Sequence, residues 1–335
     1  MKRAALLSAL PLLAAAPALA NDTIAELKTG GLVYMRSDSI SMEEEKLSIS
    51  PREVRVDYVY RNISDKPVET YVAFPMPDIP GGPEQNIDAG DTESDNFLGF
   101  TVTQDGAAIE PLLQQRAYVG DLDMTDIVRD AGVPMNPQSQ KARDAIAGLP
   151  KETIEDWLTR GLVIADSHDD GSGWTTDFTP MWTLKSAYYW KTGFPVGKDI
   201  HVSHRYRPSV GGTVATTFLD EDDQPRGERY ADYRKKFCID DAFVKLARKS
   251  NEAMQQGEPY LVENWISYIL TTGANWAGPI KTFTLVIDKG EQDNFVSFCG
   301  EDVRKTGPTT FEMTKTDFYP EKDLDILLLV PTGAP

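Results

Sequence analysis

Apolar and polar residues alternate with a period of two along much of this chain. In REVRVDYVYRN, Val54, Val56, Tyr58 and Tyr60 fall on one side, and Arg55, Asp57 and Arg61 on the other. Neighbouring strand side chains point to opposite faces, so the pattern predicts a strand with one face in a core. VETYVAFP predicts a second strand, and the intervening NISDKP a hairpin connection. FLGFTVTQDG, ended by the turn pair Asp105-Gly106, predicts another, as does DIHVSHRYRP. YLVENWISYIL and IKTFTLVID, separated by TTGANWAGP, extend the series, and TTFEMTKTDF and LDILLLV close it. Such short strands predict a mainly β (α+β) fold: an antiparallel β-sandwich of one or two units.

Two regions switch to a helical period. MNPQSQKARDAIAG predicts a helix with Asn136 as N-cap, Pro137 at its first position and Gly148 past its end. PKETIEDWLTRG places Ile154, Trp157 and Leu158 on one face and stops at Gly161. Further on, DDAFVKLARKSNEAMQQG predicts a helix capped by Asp240, with Phe243, Leu246 and Ala247 as its buried stripe and Gly257 after its end. The chain therefore divides into an N-terminal β unit (21–120), a helical insertion (121–165) and a C-terminal β unit (166–335) with a helix near 240–256. The two β units count as one domain if they pack together.

Residues 78–96, 165–178 and 220–229 read as loops longer than the usual ~4–6 residues, and long loops on a β scaffold carry either binding or disorder. The first follows ETYVAFPMP. Proline cannot donate to a ladder, so the strand ends near Phe74, and Pro75, Pro77, Pro80 and Pro83 stiffen the exit. Gly81-Gly82 bends it, and Phe97 begins the next apolar run. A structural connection accounts for this stretch without a binding role for the acidic residues Asp88 to Asp95.

The N-terminus reads as a secretory signal peptide. Lys2 and Arg3 precede an apolar run from Ala4 to Ala16, and Ala18-Leu19-Ala20 supplies a small-x-small cleavage site. The run is too short to span a bilayer, which takes about 20 residues. Cleavage after Ala20 leaves Asn21 first and predicts a periplasmic or secreted protein without a membrane anchor. Losing Lys2 and Arg3 takes the net charge from −18 to −20, an acidic surface that argues against nucleic acid and anionic membranes as partners. The two cysteines, Cys238 and Cys299, most simply pair in an oxidising compartment.

Three histidines, His168, His201 and His204, limit the available chemistry. There is no H-E-x-x-H and no G-x-S-x-G. In HVSH, His201 and His204 are three apart on a predicted strand, so they point to opposite faces. DSHDDGSG crowds Asp166, His168, Asp169 and Asp170 into a glycine-containing segment. These are weak candidates for calcium, since the spacing does not fit an EF-hand. In GFPVGKD, three residues separate the glycines and Asp199 follows Lys198, which does not fit a phosphate loop. No spacing marks out a glycosidase pair of carboxylates. Trp174, Trp182, Tyr188, Tyr189 and Trp190 form an aromatic-rich stretch that could stack on sugars but more often fills a core.

Four segments resemble a bacterial exported family, domain of unknown function 4424: TGGLVYMRSDSISMEEEKLSISPREVRVDYVYRN, VAFPMPDIPGG, YILTTGANWAGPIKTFTLVIDKG and SFCGEDVRKTGPTTFEMTKTDFYPEKDLDILLL. The resemblance covers nearly the whole chain after Ala20 and implies no assigned activity and no catalytic residues. The sequence as a whole predicts a non-catalytic binding or scaffolding module of the cell envelope, with no cofactor and an unknown envelope protein or polymer as partner. The alternatives are a hydrolase of envelope polysaccharide or peptide using carboxylates as acid and base, and a calcium-stabilised adhesion-type module.

Overall fold

The computed structural model describes residues 21–28, 31–83, 87–169, 171 and 173–333. The predicted leader and its cleavage residue Ala20 lie outside the described residues, as does Asp170. Strands are the dominant element and pair almost entirely antiparallel, in the sandwich arrangement the alternation predicts.

The backbone of the molecule is an eight-stranded sheet. Its order is Arg304–Lys305, Thr310–Phe318, Ile280–Asp288, Ile40–Ile49, Val54–Asn62, Asp199–Tyr206, Thr101–Gln104, Ala107–Ile109. One neighbouring pair, Ile280–Asp288 with Ile40–Ile49, runs parallel. Its inner face carries Val54, Val56, Tyr58, Tyr60, Val202, Phe283, Leu285 and Ile287, all buried. Two further sheets meet that face. A seven-stranded sheet is centred on Thr183–Phe194 and Val68–Pro75, and a five-stranded sheet on Leu324–Pro331 and Leu261–Tyr268. One apolar core joins all three, from Ile24 to Leu328. Aromatic packing sets much of it: Phe100 stacks on Tyr188 at 4.4 Å, and Tyr60 lies 4.4 Å from Trp276.

NISDKP is not a hairpin connection. Val54–Asn62 pairs within the eight-stranded sheet, and Val68–Pro75 within the seven-stranded one. The connection therefore crosses the sandwich. Asn62 fastens it by donating from its amide to the carbonyls of Lys66 and Phe194, each at 2.8 Å.

Helices cover what the sheets leave apolar. Three of them, α1 (Thr125–Asp130), α2 (Gln140–Ala147) and α3 (Lys151–Thr159), build a second core with Ala117 of the seven-stranded sheet and with Trp182, which precedes its strand Thr183–Phe194. Trp157 meets Trp182 edge to face at 6.1 Å. The N-cap of α2 is Ser139, whose hydroxyl accepts from Ala142 N, and not Asn136. Asn136 instead accepts from Gln138 N in a local turn, which competes with helix initiation. Leu158 is exposed, because α3 buries only Ile154 and Trp157.

The other two helices are α4 (Glu228–Phe237) and α5 (Asp241–Gln255). Asp240 caps α5 by accepting from Phe243 N. Phe237, Phe243 and Ala247 pack on Leu327 and Leu329, the outward side chains of the last strand, whose inward partners Leu324, Ile326 and Leu328 enter the main core. A strand covered on both faces needs apolar residues at successive positions, which explains the run ILLLV that follows Asp325. The helix α4 is highly charged and was hidden behind the 220–229 loop; its first turn begins at Glu228. Cys238, between α4 and α5, is bonded to Cys299 with Cα atoms 5.1 Å apart. The link ties the helix junction to the edge strand Phe295–Phe298 of the five-stranded sheet.

Candidate functional site

A register slip determines which residues reach each side of the long sheet. Met42 pairs with Tyr60, but Glu44 pairs with Val59, so a bulge falls between them. The extra residue inverts the alternation. Met42 points inward before it, and Glu45, Leu47 and Ile49 point inward after it. The bulge thus drives a carboxylate, Glu45, into the core and turns Glu44 and Lys46 to solvent.

On the core side Glu45 joins a buried polar cluster around residues 21–23. Asn21 donates from its side-chain amide to Glu45 at 3.2 Å and accepts from Tyr58 OH. Asp22 accepts from Tyr60 OH at 3.0 Å and lies 2.9 Å from His204 Nε2. Trp276 Nε1 donates to Asp22 O at 2.9 Å, and Asn275 Nδ2 to Thr23 Oγ1 at 2.9 Å. Thr272 brackets Asn21, accepting from its backbone N and donating to its carbonyl, each at 2.9 Å. Asn21, Asp22, Thr23 and His204 are all 0% exposed. Burial, with the nearby Asp22 carboxylate, pushes Glu45 up to about 8. Burial likewise holds the phenols of Tyr58, Tyr60 and Tyr268 well above their usual value.

On the solvent side the same strands form a groove of about 610 Å³. Cross-strand pairing orders its side chains into rows. One row runs Thr314, Thr284, Lys46, Asp57, Ser203, Thr103, one residue from each of six adjacent strands. The next sets Arg55 directly opposite Arg205. Like charges so placed repel. Asp57 relieves Arg55 through a two-point bond at 2.8 and 3.0 Å and also accepts from Ser203 Oγ at 2.7 Å. Arg205 and Lys46 make no ion pair among the described residues. Glu45 and Tyr58 contribute only their strands to this groove, because their side chains face the core and are 1% exposed.

The residues singled out from sequence fall elsewhere. Asp166, His168 and Asp169 do not form a loop but lie on Val163–Asp169, half of an exposed hairpin with Trp174–Pro180. Asp166 stands opposite Asp177 there, and His168 Nδ1 lies 3.9 Å from Asp177. Among the described residues no group of three or more His, Cys, Asp or Glu side chains converges as a metal site would require. His201 is exposed on the groove side and His204 buried on the core side. In the aromatic-rich stretch, Trp182, Tyr188 and Trp190 fill cores, and Trp174 at the hairpin tip is 79% exposed.

The long segment after Phe74 is structural. Ile79–Pro80 pairs with Thr183–Phe194, and Ile87–Asp88 with Val210–Gly212. Its acids are also in use: Asp88 pairs with Arg207, and Glu93 accepts from Gln140 N at the start of α2. The signal for the buried cluster lay in three glutamates within an otherwise alternating strand, SMEEEKLSI, where a regular pleat would bury Glu44 beside Met42. Nothing in the local sequence shows that Asn21 and Asp22 become the partners of Glu45 and His204.

No helix among the described residues is long and apolar enough to cross a membrane. The fold is similar to a crystal structure of a "putative nutrient binding protein" from Legionella pneumophila, at 14% identity and a TM-score of 0.41, covering 92% of this chain and 70% of that one. It is also similar to an M1 zinc metallopeptidase from Deinococcus radiodurans, at 8% identity and a TM-score of 0.27, covering 88% of this chain and 43% of that one. Comparison with curated proteins gives no match. The sequence profile of the domain of unknown function DUF4424 matches residues 20–327, nearly the whole chain, and the protein belongs to that family.

Proposed function

We propose that this protein is an exported binding or scaffolding module of a bacterial cell envelope, and that it binds its ligand in the groove on the open face of the eight-stranded sheet. The observation that carries this reading is the pair of uncompensated cations, Lys46 and Arg205, in the groove of a chain whose net charge is −18. Within the groove Asp57 neutralises Arg55, which leaves these two cations to face an incoming ligand. The two without partners flank rows of threonine and serine hydroxyls, which both donate and accept. Such a surface suits an extended, hydroxyl-bearing ligand that carries acid groups, an acidic oligosaccharide being the simplest case.

The same geometry disfavours acid–base hydrolysis. That chemistry takes two carboxyls at the substrate, one of them held protonated. The groove offers Glu44 and Asp57, but Asp57 is committed to Arg55 and Ser203. The carboxyl whose pKa is raised, Glu45, faces away.

Calorimetric titration with uronic-acid oligosaccharides and their neutral counterparts tests the reading. Binding of the acidic series is expected, weakened roughly tenfold or more for each of Lys46→Ala and Arg205→Ala through loss of a charge-assisted hydrogen bond. Equal affinity for neutral and acidic oligomers, or no effect of the substitutions, overturns it.

A further inference from the structure

The first described residues of this chain occupy a built receptacle. Chain termini usually sit at the surface and stay loosely held. Here Asn21, Asp22 and Thr23 are 0% exposed, and the segment Thr271–Trp276 wraps them with four hydrogen bonds, two through Thr272 and one each through Asn275 and Trp276. Gly273 makes room for the seat: a Cβ there would lie 2.9 Å from Asn21 Nδ2.

The charges in the receptacle do not balance. Asp22 and Glu45 are both buried, and among the described residues His204 is the one basic side chain in contact with them. Buried carboxylates need counter-charges. The backbone nitrogen of Asn21 lies in the same receptacle, where it donates to Thr272 while the side-chain amide of the same residue reaches Glu45.

We propose that cleavage between Ala20 and Asn21 is a maturation step coupled to the fold, and that the α-ammonium it frees is buried as the counter-charge of the Glu45–Asp22 pair. The inference rests on the export reading for the source of the cleavage, an endopeptidase that cuts after small residues. Water adds across the Ala20–Asn21 peptide bond. The C–N bond breaks, Ala20 leaves as a carboxylate and Asn21 N becomes an ammonium, with no net gain or loss of protons. Before the cut, Asn21 N offers one hydrogen, taken by Thr272. Afterwards it offers three and a positive charge, within the receptacle that also holds Glu45. In the uncut chain burial keeps Glu45 protonated near neutral pH, and the ammonium removes the reason for it to stay so.

Three forms of the protein test this: the full chain kept uncut by Ala18→Arg, the chain cut after Ala20, and the cut chain with its α-amine acetylated. The cut form is expected to melt about 5 °C or more above the other two. That gap should collapse when all three carry Glu45→Gln. The α-amine of the folded cut form should also resist an amine-acylating reagent and react once the chain is unfolded, a readout that needs no variant. Equal melting of cut and acetylated forms, or rapid acylation in the folded state, overturns the proposal. The intact mass of protein recovered from an envelope fraction tests the export reading separately. A chain beginning elsewhere than Asn21 refutes that reading, while the three prepared forms still decide whether the receptacle holds an ammonium.

Discussion

At the scale of single residues, the buried cluster dominates. Asp22 accepts from Tyr60 and contacts His204 where water does not reach. Asp22→Ala leaves an imidazole and a phenol unpaired in the core, and breaking such a pair costs about 3–5 kcal/mol. A denaturant midpoint lowered to match, with an unchanged slope, is the expected result. Glu45 supplies a pH signature for the uncut chain. Its ordinary value is 4.5 and the folded value about 8, so between those limits the native state holds a proton that the unfolded state has lost. The sign follows: this group's stability contribution is fully present below 4.5 and falls as pH rises through 8. Thermal unfolding from pH 5 to pH 8 should show a declining midpoint, flattened by Glu45→Gln.

At the scale of elements, periodicity identified most strands, because one face of each is buried and the other wet. Val54, Val56, Tyr58 and Tyr60 are buried as their alternation predicts. It could not tell which strand pairs with which. VRVDYVYRN and VETYVAFP look like the arms of a hairpin, yet hydrogen-bond to different sheets. The pleat repeats every two residues, so a bulge is invisible until the partner strand shows the slip between Met42 and Glu44. The charged face of α4 hid a helix, since only Phe237 of its residues is buried. The hairpin arm Val163–Asp169 reads as a loop because every residue after Val163 is exposed and those from Asp166 on are polar. The Cys238–Cys299 link closes a loop with a sequence separation of 61. Replacing both cysteines by alanine should cost about 2–4 kcal/mol by the chain-entropy argument, measurable as a lower unfolding midpoint. Amide exchange should rise first at the junction of α4 and α5.

At the scale of the whole molecule, one core runs through all three sheets, and residues from Ile24 to Leu328 contribute to it. The two β units distinguished by sequence position therefore share their packing. Calorimetry should show the sheets unfolding in one cooperative transition, since neither unit buries its own face without the other; two resolved transitions that separate residues 21–120 from 166–335 would contradict this. The sequence alone determined the strand-rich class, the longest helix with its Asp240 cap, the pairing partner of each cysteine and the membership of the family, because these depend on local periodicity, on composition or on direct matching of residues. The groove and the buried receptacle came only with the folded chain. Each gathers residues far apart in sequence: Lys46, Asp57, Ser203 and Thr103 in one row, and Asn21, Glu45, His204 and Thr272 in one cluster. Strand order and register bring them together, and both are set by the energy of packing whole faces against one another, which no single segment carries.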